Sequence, residues 1–255
     1  MNDKSQPTAI PFIHANWPLN SVGALTTLRQ GGHSDAPYDT LNLAAHVGDS
    51  IERVNKNREQ LRVACGLDKP LLWLDQVHGS RVVSYTQLSE AQQPIAADAV
   101  YTDKVGAACA ILTADCLPIL LASLDGSEVA AIHGGWRSLA EGVVRATAKK
   151  FNTKPGRIVA WLGPAIGPKA FEVGAEVRAA MMRLTDQASL AFTSHRQEGK
   201  YWCDIYQLAT ILLEREHISQ VFGGGACTVT DQERFFSYRR DGVTGRMASL
   251  IWIRK

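Results

Sequence analysis

Three segments of the 255-residue chain combine a soft or borderline metal ligand with a glycine or proline turn. They are Gln76-Val-His78-Gly79, Thr113-Ala-Asp115-Cys116-Leu-Pro118 and His133-Gly-Gly-Trp-Arg137. A thiolate with two imidazoles suits zinc, and the cation in turn lowers the thiol pKa. Three protein ligands leave a fourth position open, the mark of a catalytic rather than a structural site. The long, irregular spacings match no local zinc-finger pattern, so spacing alone carries little. Taken singly, a histidine at a strand end is more often a hydrogen-bonded structural residue, and Cys116 reads as a small buried hydrophobe. Asp115 is different. A carboxylate between two apolar runs needs a charged partner, a hydrogen-bond network or a ligand to orient.

Other chemistry-bearing residues leave alternatives open. Cys116 could act as a metal-free nucleophile with His133 as its base. Arg239, Arg240 and Arg246 concentrate guanidinium forks that match phosphate or carboxylate, and an exposed salt-bridge cluster fits them equally. Gly31-Gly32 and Gly223-Gly-Gly225 read as tight turns, since neither sits in a Rossmann or P-loop context.

The elements that must position these residues follow from hydrophobic patterning. Val22–Leu28 reads as a strand and 30–40 as a polar loop. Residues 51–65 form an exposed helix ended by Gly66. Strands are expected at 71–74, 81–85, 99–102, 107–113, 118–123 and 128–133. Ser138-Leu-Ala-Glu141 has the capping-box pattern and predicts a helix over 139–151, with Val143, Val144, Thr147 and Phe151 facing a sheet. A strand at 157–162, helices at 174–184 and 205–216, and strands near 235–238 and 248–253 complete the reading. Helices and strands mix without a regular βαβ rhythm, which predicts an α/β or α+β sandwich of helices on mixed sheets.

Composition narrows the function classes. Hydrophobic residues make up 45%, charged residues 20%, and the net charge is only +2. That balance argues against nucleic acid or a membrane surface and for a small-molecule substrate. Five scattered cysteines are no disulfide framework and fit a reducing cytoplasm. The first residues lack an apolar run of export-signal length, and residues 1–10 are expected to fray. The stretch 105–124 is apolar, but Asp115 and Pro118 break it, so it reads as two buried strands rather than a membrane helix.

Read together, the motifs resemble one family across nearly the whole chain. They include Thr27-Leu-Arg29-Gln-Gly-Gly32, Leu41-Asn42-Leu43, His46-Val-Gly-Asp49, Asn57-Arg58, the three segments above, Leu162-Gly-Pro164-Ala-Ile-Gly167, Phe171-Glu-Val-Gly174 and Thr244-Gly-Arg246. The family is the YfiH/YlmD type, historically labelled laccase-domain proteins and now associated with purine nucleoside phosphorylase and adenosine deaminase activity. Gly134 and Ser138 depart from its usual Ala and Gly. The resemblance implies one domain over 1–255, related in architecture to cysteine-dependent toxin deamidases, working as a monomer or homodimer. It implies a zinc site of His78, Cys116 and His133. Asp115 would transfer a proton, Arg29 or Arg137 would position phosphate, and Asn42 would bind base or ribose. Some relatives look like editing enzymes for a UDP-linked muramyl amino acid, a second substrate class. The laccase label fits poorly, because seven histidines with no His-x-His pair cannot build a multi-copper centre. Copper is then an alternative occupant of a zinc site.

Overall fold

Alternation along the apolar runs decides the architecture of the computed structural model, which describes residues 9–255. Two sheets stack face to face. The first is antiparallel throughout and orders β1 (Phe12–His14), β2 (Val22–Thr27), β13 (Met247–Ile253) and β5 (Ala108–Thr113). The second orders β12 (Gln220–Gly223), β8 (Ile158–Leu162), β6 (Leu117–Ser123), β7 (Val129–Gly134), β4 (Ala99–Thr102) and β3 (Val82–Ser84). Only its edge pairs, β12 with β8 and β3 with β4, are parallel.

Cys109 and Ile111 of β5 meet Leu120 and Ala122 of β6 and Ala131 of β7 in the core between the sheets. Their neighbours point the other way. Ala108, Ala110 and Leu112 pack with Leu61 of α1 (Ile51–Ala64). Ile119, Leu121 and Ile132 pack on α3 (Trp136–Ala140), α4 (Val143–Ala148) and α6 (Ile205–Arg215). The layers therefore run helix, sheet, sheet, helix, and strands buried on both faces read as unbroken apolar runs. A small antiparallel sheet of β10 (Phe192–Ser194), β11 (Lys200–Cys203) and β9 (Glu172–Gly174) carries α5 (Ala175–Met182) and joins the outer helical layer. This is the mixed single-domain sandwich expected. Among the described residues, no helix is long and apolar enough to cross a membrane.

Several local expectations are corrected. Residues 71–74 are not a strand. Leu71 and Leu74 are buried anchors of an extended segment whose one bridge joins Asp75 to Ala96. The strand expected at 81–85 gives way at Tyr85 to α2 (Tyr85–Glu90), because Ser84 and Gln87 form a capping box. Phe235 and Phe236 are fully buried without joining a sheet, and Ser237 caps the short α7 (Tyr238–Asp241). Ser138 does not cap a helix. Its helix starts two residues earlier at Trp136, so Ser138 lies inside α3, buried, with its hydroxyl unpartnered. Gly142 then breaks the run with φ +83, leaving two short helices in place of one. Residues 1–8 of the segment expected to fray lie outside the described residues, and Ile10 is buried in the core beside Leu25 and Leu41.

Candidate metal centre and its cavity

β5 belongs to one sheet and β6 to the other, so Ala114–Cys116 is the corner where the chain crosses between them. Asp115 turns that corner with φ +91, a left-handed conformation that costs a non-glycine residue about 1–3 kcal/mol. Its own bonds hold it there. Oδ1 accepts from Thr228 Oγ1 at 2.6 Å, Oδ2 from the Arg239 N–H at 2.6 Å, and the main-chain oxygen from the Ile166 N–H at 2.9 Å. Cys116, next along, faces a cavity of about 530 Å³. His133 stands near the end of β7, paired with Pro118, and His78 sits in a loop with φ +61.

The three side chains converge. Cys116 Sγ lies 3.9 Å from His78 Nε2, and one ligand atom from each of the three lies within 4.8 Å of the others. Tetrahedral zinc at ordinary bond lengths spaces its ligand atoms about 3.3–3.8 Å apart, so the donor set fits after a small contraction. Gly135 keeps the space open, since a Cβ there would stand 2.9 Å from His78 Cδ2 and 3.3 Å from Cys116 Sγ. Among the described residues, no other group of three His, Cys, Asp or Glu side chains forms such a cluster.

One fully buried carboxylate organises both imidazoles. Asp98 Oδ1 lies 2.8 Å from His133 Nδ1, which places the proton on Nδ1 and leaves Nε2 free to ligate. The same oxygen accepts the His78 N–H at 2.9 Å, and Oδ2 accepts those of Gly79 at 2.7 Å and Val77 at 3.3 Å. Burial works against the charged form, yet His133 and the N–H groups of Gly79 and His78 hold the Asp98 carboxyl below its ordinary range. Burial likewise pushes the Cys116 thiol up, but the charge of His133 and hydrogen bonds with both histidines outweigh it and bring the thiol down. His133 shifts the other way. Burial lowers it, and the Cys116 thiolate with Asp98 raises it above an ordinary imidazole. The shifts on Cys116 favour the thiolate, the form that binds metal.

The cavity above this centre has an apolar wall of Trp136, Ile166, Phe171 and Ile205 and a polar side of His46, Gln76, Tyr238, Arg137, Arg239 and Arg246. Arg137, expected to position phosphate, lines this cavity and stacks 4.4 Å over the Trp136 ring. Arg29 and Asn42 are not at this cavity. Arg29 donates to Asp39 O and Gln232 O, pairs with the Asp39 carboxylate and covers the Phe236 ring in a separate surface groove. Asn42 is fully buried, its amide spent on Ala44, Asp49 and the Arg246 N–H. The irregular chain around both takes up their hydrogen bonds. Of the arginine cluster, Arg239 and Arg246 reach the cavity, and Arg240 turns away to bind Asp241 and the carbonyls of Thr228, Val229 and Phe235. Sequence reasoning missed Asp98, although the signal that marked Asp115 was there: a carboxylate inside the apolar run 95–101.

Comparison with known proteins agrees with this fold. The family described as multi-copper polyphenol oxidoreductase laccase matches residues 23–254. The Shigella flexneri protein named purine nucleoside phosphorylase YfiH is 51% identical, covering 95% of this chain and 98% of its own. The Haemophilus influenzae purine nucleoside phosphorylase is 47% identical over 94% and 98%. A crystal structure from Neisseria meningitidis superposes with TM-score 0.91 at 44% identity, over 96% of this chain and 99% of that one. YlmD from Geobacillus stearothermophilus superposes with TM-score 0.87 at 28% identity, over 98% and 100%.

Proposed function

The chain belongs to the multi-copper polyphenol oxidoreductase laccase family, and from that premise we propose that it is a zinc-dependent enzyme acting on purine nucleosides, cleaving adenosine, inosine or methylthioadenosine with phosphate and deaminating adenosine. The observation that carries this reading is one cavity that joins a Cys-His-His donor set to an apolar wall and an arginine-bearing side. His78, Cys116 and His133 would hold the metal. When bound, zinc supplies Lewis acidity at a coordination position the three protein ligands leave open.

The chain's own residues do the rest. Asp98 fixes the His133 tautomer and the His78 turn. Ile166, Phe171 and Trp136 offer a flat apolar wall for a purine and exclude water from it. Arg137 stands at the rim to orient the polar end of the substrate. Asp115, a proton-transfer candidate by type, has each oxygen already accepting a hydrogen bond. In this reading it holds the corner that aims Cys116, and any proton it exchanges passes through one of those oxygens. In phosphorolysis a phosphate oxygen bonds to the ribose C1′ as the C1′–N9 bond breaks, its electron pair leaving with the purine. Oxidase chemistry on the laccase pattern has little to stand on, with seven histidines in the chain and one three-ligand cluster among the described residues. Copper is an alternative occupant of the same donors.

A second reading makes Cys116 a nucleophile and His133 its base, favoured by the lowered thiol and the raised imidazole. Metal analysis of the purified protein, with assays on adenosine and on inosine plus phosphate, separates the two. About one zinc per chain, lost together with product formation in Cys116→Ala, is expected. Full activity in metal-free protein would replace zinc by the thiol mechanism. Bound zinc with both nucleosides untouched would refute the nucleoside reading and favour the UDP-linked muramyl substrate class.

A further inference from the structure

Arg246 lines the metal cavity without a carboxylate partner. Its Nη1 donates to the carbonyls of Thr244 (2.9 Å) and Gly245 (3.0 Å), in its own turn. Among the described residues, its Nε and Nη2 have no hydrogen-bond partner, and its guanidinium stands 5.6 Å from the centre of the Tyr238 ring, in the field of Cys116 and Asp115. Arg58 is similar. Its Nε donates to Leu43 O at 2.9 Å and its guanidinium covers the Trp73 ring at 4.5 Å, with no acidic side chain in ion-pair range. Burial pulls Arg58 down to about 10. His46 lies in the field of both. Burial and then the charge of Arg246 lower it, Arg58 adds to the lowering, and Asp75 opposes.

These residues come from three distant stretches, and one clasp brings them together. Asn42 Oδ1 accepts the N–H of Arg246 at 3.0 Å, and the Leu43 N–H donates to Arg246 O at 3.3 Å. Asn57 Nδ2 donates to Asn42 O at 2.8 Å, next to Arg58. A fold that gathers half-buried guanidinium groups with no carboxylate in ion-pair range, so that Cys116 and Asp115 act on Arg246 only through space, keeps their donors available to a ligand, because such groups are costly to bury without a direct partner. The fork of Arg246 suits an oxyanion, and a neutral imidazole adds one N–H donor.

We propose that Arg246 and His46, with Arg58 adding charge, form an oxyanion subsite in the wall of the metal cavity that takes a phosphate group, and that Asn42 is the positioning residue that sets it. The source of that group, inorganic phosphate as co-substrate, rests on the phosphorolysis reading; the subsite does not. The assignment moves phosphate recognition away from Arg29, whose donors the surrounding loops consume.

The test titrates inorganic phosphate into zinc-loaded protein by calorimetry and measures the phosphate dependence of inosine cleavage. Parent, Arg246→Gln, Arg246→Lys and His46→Gln are compared, with melting curves as folding controls. Arg246→Gln should weaken phosphate about 10- to 100-fold, the loss of one or two charge-assisted hydrogen bonds. Zinc content should not change, and KM for inosine should move by less than about threefold, the split that separates an oxyanion contact from general damage. Lysine should restore part of the affinity, keeping charge without the fork. If adenosine 5′-monophosphate binds, inorganic phosphate does not, and Arg246→Gln abolishes the nucleotide affinity, the subsite stands and the phosphorolysis reading falls. Equal phosphate affinity in the parent, Arg246→Gln and His46→Gln would overturn the subsite.

Discussion

Replacing Asp98 by Asn tests the organisation of the metal centre without changing any ligand. The carboxylate accepts on both oxygens, from His133 Nδ1 and the His78 N–H on one and from the Gly79 and Val77 N–H groups on the other. An asparagine of the same shape must turn its NH2 group toward one of these pairs, setting donor against donor. If it faces Gly79 and Val77, the left-handed turn holding His78 loses its anchor. If it faces His133, the ring loses the acceptor that fixes its tautomer. Either way about two hydrogen bonds are lost, each worth roughly 1 kcal/mol net. The expected result is zinc binding weakened about 10- to 100-fold, equivalent to roughly 1.4–2.7 kcal/mol. Competition against a chromophoric chelator at neutral pH reads that change directly. Melting with and without zinc supplies a second measure, because the stabilisation by a ligand shrinks with its affinity. A folded Asp98→Asn protein with the zinc affinity of its parent would refute the claim that this carboxylate sets the site.

Three further outcomes follow from single features. Gly135→Ala puts a methyl 2.9 Å from His78 Cδ2, so the ring must move; the variant should fold, yet lose zinc in a dialysis that leaves the parent loaded, and full retention would show that the loop yields freely. Ser138→Ala removes a buried hydroxyl that has no partner. It should stabilise by about 1 kcal/mol and raise Tm by about 2–4 °C, whereas a lower Tm in a calorimetric scan would mean the hydroxyl has a bound water. Glu128 accepts from the Tyr101 hydroxyl and from both N–H and side-chain donors of Asn152 and Thr153. Burial opposes the charge, but Thr153, Tyr101 and Asn152 hold the carboxyl below its ordinary 4.5. A depressed carboxyl contributes stability that is present above the ordinary value and lost as pH falls through the folded one. Glu128→Gln should therefore lower Tm at neutral pH and flatten its decline below about 4.5; parallel pH profiles would count against that contribution.

The sheets were legible where strands are buried on both faces. β4, β5, β6, β7 and β8 lie within a residue of their expected bounds, because unbroken apolar runs between turn residues allow little else. The half-buried strands of the small outer sheet were missed. β9, β10 and β11 are three or four residues long, too short for a period to emerge. Capping chemistry misled at Ser138 because the same Ser-x-x-Glu letters also fit a serine inside a short helix. There the register of Trp136 and Leu139 against the sheet decides, and local propensity yields to packing.

The site divides along a different line. The three residues that could hold a metal were readable as types, since few other side chains suit zinc, whereas their convergence depends on a corner between two sheets that no local pattern encodes. Arg29 and Asn42 lie away from this cavity for a reason that also bears on Arg246. The chain over 28–50 carries no regular secondary structure, so its backbone groups must find side-chain partners. Asn42, Asn57, Asp49 and Ser34 are consumed in supplying them, and Arg29 ties the same loops to 231–234 and Asp39. A polar residue in such a loop is free for a substrate only after the backbone has taken its share. Arg246 passes that condition and Arg29 does not: both are arginines beside an aromatic ring, but one has Nε and Nη2 unspent over a cavity and the other has all three guanidinium nitrogens committed.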